Sequence, residues 1–243
     1  MSPPASWWAL TAQAALDLVV PQECSGCQSP GRAWCPRCAQ ACGGSTLSVP
    51  GPVTCRAACA HAGPAGRAVV AFKDAGARRL AGPLSGLLAR AITDSLVEAG
   101  APRGVPVWLV PVPSRRSAVR ARGADHTAVL AGGAARALRR SGIPAHRCPA
   151  LVHVRASRDQ VGLSREQRWI NVAGSMRALA VPAGVLVVVD DVTTTGSTVA
   201  EAVRAMAALG RSVTCAAAVT WSPPGPRTER RTPGATSVEG AKG

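Results

Sequence analysis

The stretch VLVVVDDVTTTGSTVAEAVRAM, residues 185–206, is the one that decides how the rest of the chain is read. Val185–Val189 holds four valines in five residues, which suits a strand buried on both faces in a parallel sheet. The run ends in two adjacent carboxylates, Asp190 and Asp191. Small hydroxylated residues and one glycine follow, Thr193, Thr194, Thr195, Gly196, Ser197 and Thr198, and a helix is predicted at once over Ser197–Leu209, stopped by Gly210. Backbone amides in such a loop, with the positive end of the next helix dipole, form an anion site. Gly196 lets the backbone come close to the anion, and the hydroxyls add donors. Paired acids beside an anion nest suit a ligand that also presents vicinal hydroxyls or a metal, as a ribose phosphate does. An ordinary turn capped by Thr or Ser needs no such combination of acids and hydroxyls.

Outward from this stretch, strands alternate with helices. A strand is expected at Ala68–Phe72 and a helix over Arg78–Glu98, with apolar spacing at Leu80, Leu84, Leu87, Leu88, Ile92 and Leu96. A strand at Val107–Val110, a helix over Ala124–Arg140 closed by Ser141-Gly142, strands at Ala150–Val154 and Ser175–Leu179, and a last strand at Val213–Val219 complete the series. The pattern predicts an α/β fold, a mostly parallel sheet with helices on both faces, preceded by a small metal-binding segment. The chain divides into an apolar helix over 1–22, ended by Pro21; a cysteine-rich segment, 23–42; a Gly/Pro/Ala/Ser-rich linker with one strand, 43–66; the α/β domain, 67–221; and a tail, 222–243, with little to bury and expected to be disordered.

Five of nine cysteines lie in 23–42. Cys24-x-x-Cys27 and Cys35-x-x-Cys38 read as two metal knuckles, with Gly26 and Pro36 inside their turns. Four thiolates match tetrahedral zinc, and a site closed by four protein ligands is structural. So short a segment has no core of its own, so metal would supply its folding energy. Free thiols, a redox pair or an iron–sulfur cluster are the alternatives, and Cys42 is a substitute ligand. Cys55 and Cys59 do not repeat the spacing, and Cys148 and Cys215 read as small core residues.

The chain has 243 residues and 28 Lys+Arg against 13 Asp+Glu, a formal charge of +15. Only Lys73 and Lys242 are lysines. This charge suits a polyanion, either nucleic acid or a phosphate-rich small molecule. No apolar run is long enough to span a membrane, and the N-terminal stretch lacks a basic start and carries Asp17, which argues against a signal peptide. A cytoplasmic protein with reduced or metal-bound cysteines is expected.

Residues 185–198 resemble the ribose-phosphate signature of type I phosphoribosyltransferases: an apolar strand, Asp190-Asp191, three residues, then Thr195-Gly196-x-Thr198. Further stretches narrow the resemblance to the ComF/GntX group. They are Gln160-x-Gly162-Leu163-Ser164-Arg165-x-x-Arg168-x-x-Asn171, Arg120-x-Arg122-Gly123, Phe72-Lys73-Asp74-x-Gly76 and the four-cysteine cluster. The likeness covers roughly residues 15–221. Ala124, Asp125 and Met176 depart from it, standing where members often have an aromatic, Asn and an aromatic.

The resemblance implies a type I phosphoribosyltransferase fold. Asp190 and Asp191 would hold the ribose hydroxyls of phosphoribosyl pyrophosphate (PRPP), and Thr194, Thr195, Gly196, Ser197 and Thr198 its 5′-phosphate. Pro113, Ser114, Arg115 and Arg116 would form a pyrophosphate loop, and guanidinium forks suit a diphosphate. Gln160, Ser164, Arg165, Arg168 and Asn171 would lie on a flexible loop that closes over the substrate and excludes water. The implied reaction displaces pyrophosphate from PRPP, with Mg²⁺ carried on the substrate and the acceptor undetermined. The alternative is a competence-associated protein that binds single-stranded DNA or DNA-uptake proteins without turnover; the paired acids favour the ribose phosphate.

Overall fold

Why the valine run becomes the centre of the molecule follows from its neighbours. The computed structural model describes residues 22–74, 77–154 and 173–223. Strand β7 (Val185–Thr193) pairs in parallel with β3 (Val107–Pro111) on one side and β8 (Cys215–Trp221) on the other. Its residues Val185–Asp191 are all buried, as a strand covered on both faces must be. Beyond β3 lies β4 (Ala145–Arg147), and beyond β8 lie β2 (Cys55–Ala60) and β1 (Leu47–Ser48). The sheet order is β1-β2-β8-β7-β3-β4, parallel throughout except where β1 runs against β2.

Three helices cover one face: α2 (Gly63–Asp74), α3 (Ala81–Glu98), entered through a 3₁₀ turn at Arg78–Leu80, and α5 (His126–Arg140). Leu80, Leu84, Leu88, Ile92, Leu130 and Leu138 interlock there with Val107, Leu109, Val187 and Val189. The other face carries α6 (Ser197–Ala207) and a two-stranded ribbon, β5 (Leu151–His153) with β6 (Met176–Ala178). Buried Glu201 of α6 accepts the amide of Met176 at 2.9 Å and two bonds from Arg204, whose guanidinium also reaches the Met176 carbonyl at 3.0 Å. That clamp holds the ribbon to the helix. Two short helices complete the described residues, α1 (Pro36–Ala41) in the cysteine segment and α4 (Arg116–Arg122) after β3.

Two expectations are corrected. Ala68–Phe72 is part of helix α2, not a strand. A run of five apolar residues fits either period, but burial at Ala65, Gly66, Ala68, Val69 and Phe72 follows the helical one, and Val70 is exposed. The stretch 43–66, expected to be a linker with one strand, holds two, and β2 is an integral member of the sheet beside β8. Ala57 and Ala58 bury on opposite faces, so small side chains let the helices pack close over this edge. The strand β4 and helix α1 had no counterpart in the sequence reading. The N-terminal helix over 1–22, apart from Gln22, and nearly all of the 222–243 tail lie outside the described residues. Among the described residues, no helix is long and apolar enough to cross a membrane.

Candidate functional site

The chain leaves β3 through α5 to β4 at one edge, then returns to β7 on the other side of β3 and continues outward to β8. The strand order therefore reverses between β3 and β7. In an open parallel sheet, the loops at the carboxyl ends of two such strands splay apart and leave a crevice. Here those loops are Pro113–Arg115 and Asp190–Thr198.

Asp190 and Asp191, near the end of β7, have only 8% and 7% of their surface exposed. Asp190 accepts the amide of Asp191 at 2.8 Å. Burial, and then the neighbouring charge of Asp191, push the Asp190 carboxyl up to about 8. Asp191 is held differently. The ammonium of Lys73, near the end of α2, lies 2.7 Å from its Oδ1. Its backbone carbonyl accepts from Thr220 Oγ1 (3.4 Å), which in turn meets His61 Nδ1 at 2.9 Å. Burial, and then Lys73, lower the His61 pKa.

Past the acids, Gly196 adopts φ +75°, and a Cβ there would stand 2.8 Å from the Pro50 carbonyl. Only glycine fits both constraints. No side chain caps α6; Ser197 N reaches Thr195 Oγ1 only at 3.4 Å. Thr195 and Ser197 hydroxyls bond each other at 3.1 Å, and Trp221 Nε1 holds the Thr194 carbonyl at 3.0 Å. Thr198 is half-buried on the first turn. An uncapped helix start next to hydroxyls is an arrangement that can receive an anion.

The β3 loop is pinned from α5. Asp125 caps that helix through Ala128 N (3.1 Å) and accepts from Ser114 N (3.2 Å) and Ser114 Oγ (2.9 Å). Asp125 thus acts as the buttress of this loop. Pro113 O accepts from His153 Nε2 at 2.8 Å, which ties the loop to β5. Arg115 precedes α4 and Arg116 begins it. Gln160, Ser164, Arg165, Arg168 and Asn171 lie outside the described residues.

Sequence reasoning named the acids and the anion loop but placed neither Lys73, Thr220, His153 nor Asp125 in a site. Lys73 had two signals: it is one of two lysines among 28 basic residues, and it stands in the Phe72-Lys73-Asp74-x-Gly76 stretch, though neither gave it a partner. A cavity of about 580 Å³ lies at the opposite end of the sheet, against Leu96, Val105 and Ile143, away from these acids.

The cysteine cluster forms from local geometry. The first knuckle is a tight hairpin, with Gln28 N on Cys24 O (2.7 Å) and Cys24 N on Ser29 O (2.8 Å). The second opens α1, with Cys35 at its cap and Pro36 at its first position. Sulfurs of Cys24, Cys27, Cys35 and Cys38 all lie within 4.8 Å of one another, with Cys24–Cys38 at 3.6 Å and Cys27–Cys35 at 3.5 Å. A tetrahedral thiolate site of ordinary bond length has edges of about 3.8 Å, so the set fits a metal ion closely. Gly26 N and Cys35 N each point at Cys24 Sγ at 3.4 Å. The Ser29 hydroxyl, the largest influence, lowers Cys27 to about 6, whereas burial and the neighbouring thiols raise Cys38. Cys42 and Cys59 stand apart from this set: the Cys59 thiol donates to the Cys42 carbonyl at 3.6 Å.

The chain matches no protein-family model and no curated protein.

Proposed function

We propose that the crevice between the β3 and β7 loops binds PRPP or a related ribose phosphate, and that the protein transfers the phosphoribosyl group to an acceptor with release of pyrophosphate. The observation that carries this reading is the buried pair Asp190 and Asp191 on a strand, β7, that leads through the turn 194–196 straight into the uncapped start of α6. An anion site alone would exclude acids; acids alone would not need the Gly196 turn. A ribose phosphate uses both, its hydroxyls on the carboxylates and its phosphate at Thr195–Thr198. The fold would then be that of a type I phosphoribosyltransferase, which the sheet order and the position of the crevice support. Ser114 and Arg115, on the loop buttressed by Asp125, would face the diphosphate. Mg²⁺ bound to that diphosphate would neutralise part of its charge. The chain's own contribution is positioning, exclusion of water and charge stabilisation. The cysteine centre would hold structural zinc, with no open position for chemistry.

The test is ligand-dependent thermal stabilisation by PRPP with Mg²⁺. Wild type is expected to gain several degrees at a hundredfold excess over Kd, and Asp190→Asn with Asp191→Asn to gain nothing while remaining folded. Stabilisation of the double variant equal to wild type would remove the acids from the site. A second reading, single-stranded nucleic acid binding, draws on Arg136, Arg140 and Arg147. They are exposed on α5 and β4 and make no ion pair or hydrogen bond with any described residue. For that ligand, neutralising two acids leaves affinity equal or higher and the salt dependence steep.

A further inference from the structure

Helix α2 touches the cysteine centre at one end, and at the other Asp191 of β7 and His126 at the start of α5. At its start, Arg67 Nε donates to the Gly26 carbonyl at 2.6 Å. Gly26 sits inside the first knuckle with no room to spare: a Cβ there would stand 2.6 Å from Cys38 Sγ and 3.0 Å from Pro64 Cβ. At its far end, Phe72 packs on the His126 ring (centroids 4.7 Å apart), next to Asp125 and the loop it buttresses. The following residue, Lys73, reaches Asp191. Between the ends, the grip of the core on α2 is modest. Of its five buried residues, Ala65, Gly66, Ala68, Val69 and Phe72, only two have side chains larger than a methyl group. Small side chains bury little apolar area, so contacts at the ends weigh heavily in fixing where the helix lies.

We propose that Lys73 is a positioning residue that holds Asp191 in the crevice, and that α2 makes this placement depend on the metal state of the four-cysteine centre. Metal orders the knuckles, the ordered Gly26 carbonyl fixes Arg67 and the start of α2, and the helix as a rigid rod sets where its end delivers Lys73. Removing the metal frees the start of the helix. The ammonium then samples positions away from Asp191, leaving two buried acids without their cation, and the β7 loop opens more often. The coupling needs no movement of the sheet. It runs through one element whose position both sites bias, which is the physical requirement for linkage between them. Its ligand consequence rests on the ribose-phosphate reading; its effect on the loop does not.

Amide hydrogen exchange on the full chain separates the two. Wild-type, Lys73→Met and Lys73→Arg proteins are compared with zinc bound and after chelation. Chelation of wild type is expected to speed exchange about tenfold in 63–74 and in 190–198, with β3 and α3 unchanged. Zinc-loaded Lys73→Met should keep its metal and a slow α2 yet exchange fast in 190–198, and chelation should add nothing further in that loop. Lys73→Arg should restore the slow loop. A wild-type loop indifferent to chelation, a Lys73→Met loop as slow as wild type, or unfolding of the whole chain on chelation would each overturn the proposal. In parallel, chelation should weaken PRPP binding by about tenfold. Absence of PRPP binding in both metal states would sink the ligand assignment, and the exchange result would still decide the coupling.

Discussion

The four cysteines come from 15 consecutive residues, and two hairpin-like turns with a proline at a helix start suffice to bring their sulfurs together. The acid pair also comes from one stretch, but everything that makes it a site comes from elsewhere. Pro50 crowds Gly196, Lys73 pairs with Asp191, Thr220 bonds its carbonyl, and Asp125 holds the facing loop. The cluster is a local object whose own spacing can hold a metal ion. The crevice is a tertiary object in which buried charge is tolerated only because distant segments deliver a cation and hydrogen bonds. Perturbations of the two should therefore differ in reach.

The largest expected effect tests the local object. Wild-type protein should carry about one zinc per chain, and Cys35→Ser none, because a four-thiolate site loses most of its affinity with one ligand. Metal analysis measures this, and equal zinc in both proteins would make the centre something other than these four cysteines. Next in size is Gly196→Ala. A methyl group 2.8 Å from a carbonyl, at φ +75°, should cost about 2–3 kcal/mol in denaturant unfolding. A neutral result would mean that Pro50 and the β7 loop are not held against each other, and the crevice would be less tertiary than argued.

The smallest effect sharpens the contrast between the two acids. Asp190 titrates near 8 in the folded chain against about 4 unfolded, so the native state holds the proton more tightly between those values. Its contribution is full below pH 4 and is lost as pH rises through 8. Asp190→Asn should therefore match wild type at pH 4 and melt a few degrees higher at pH 8.5. Asp191→Asn should instead lower the melting point, because it strands Lys73, which is only 28% exposed. Identical behaviour of the two variants would mean that Lys73 does not distinguish them.

Legibility followed the same division. The strand, turn and helix over 185–198 could be read almost to the residue, since burial on both faces demands a continuous apolar run and the turn into α6 demands a glycine. Cys24, Cys27, Cys35 and Cys38 could be read because ligand spacing is itself the geometry. Helix α3 was legible from leucines at helical spacing, all facing one core. By contrast, Ala68–Phe72 offered a run too short to choose its period, and α2 became a helix because one side of it had a sheet to cover. β2, with Arg56 and five alanines or cysteines, has little strand character of its own and is a strand because β8 leaves an edge to pair. Lys73 carried a charge that nothing nearby in the chain required. Its partner lies 118 positions away, and only packing of α2 against the end of β7 could bring an ammonium to a buried carboxylate. Covalent neighbours set turns, periods and ligand spacings; which distant charge each buried group meets is decided by how the layers close over one another.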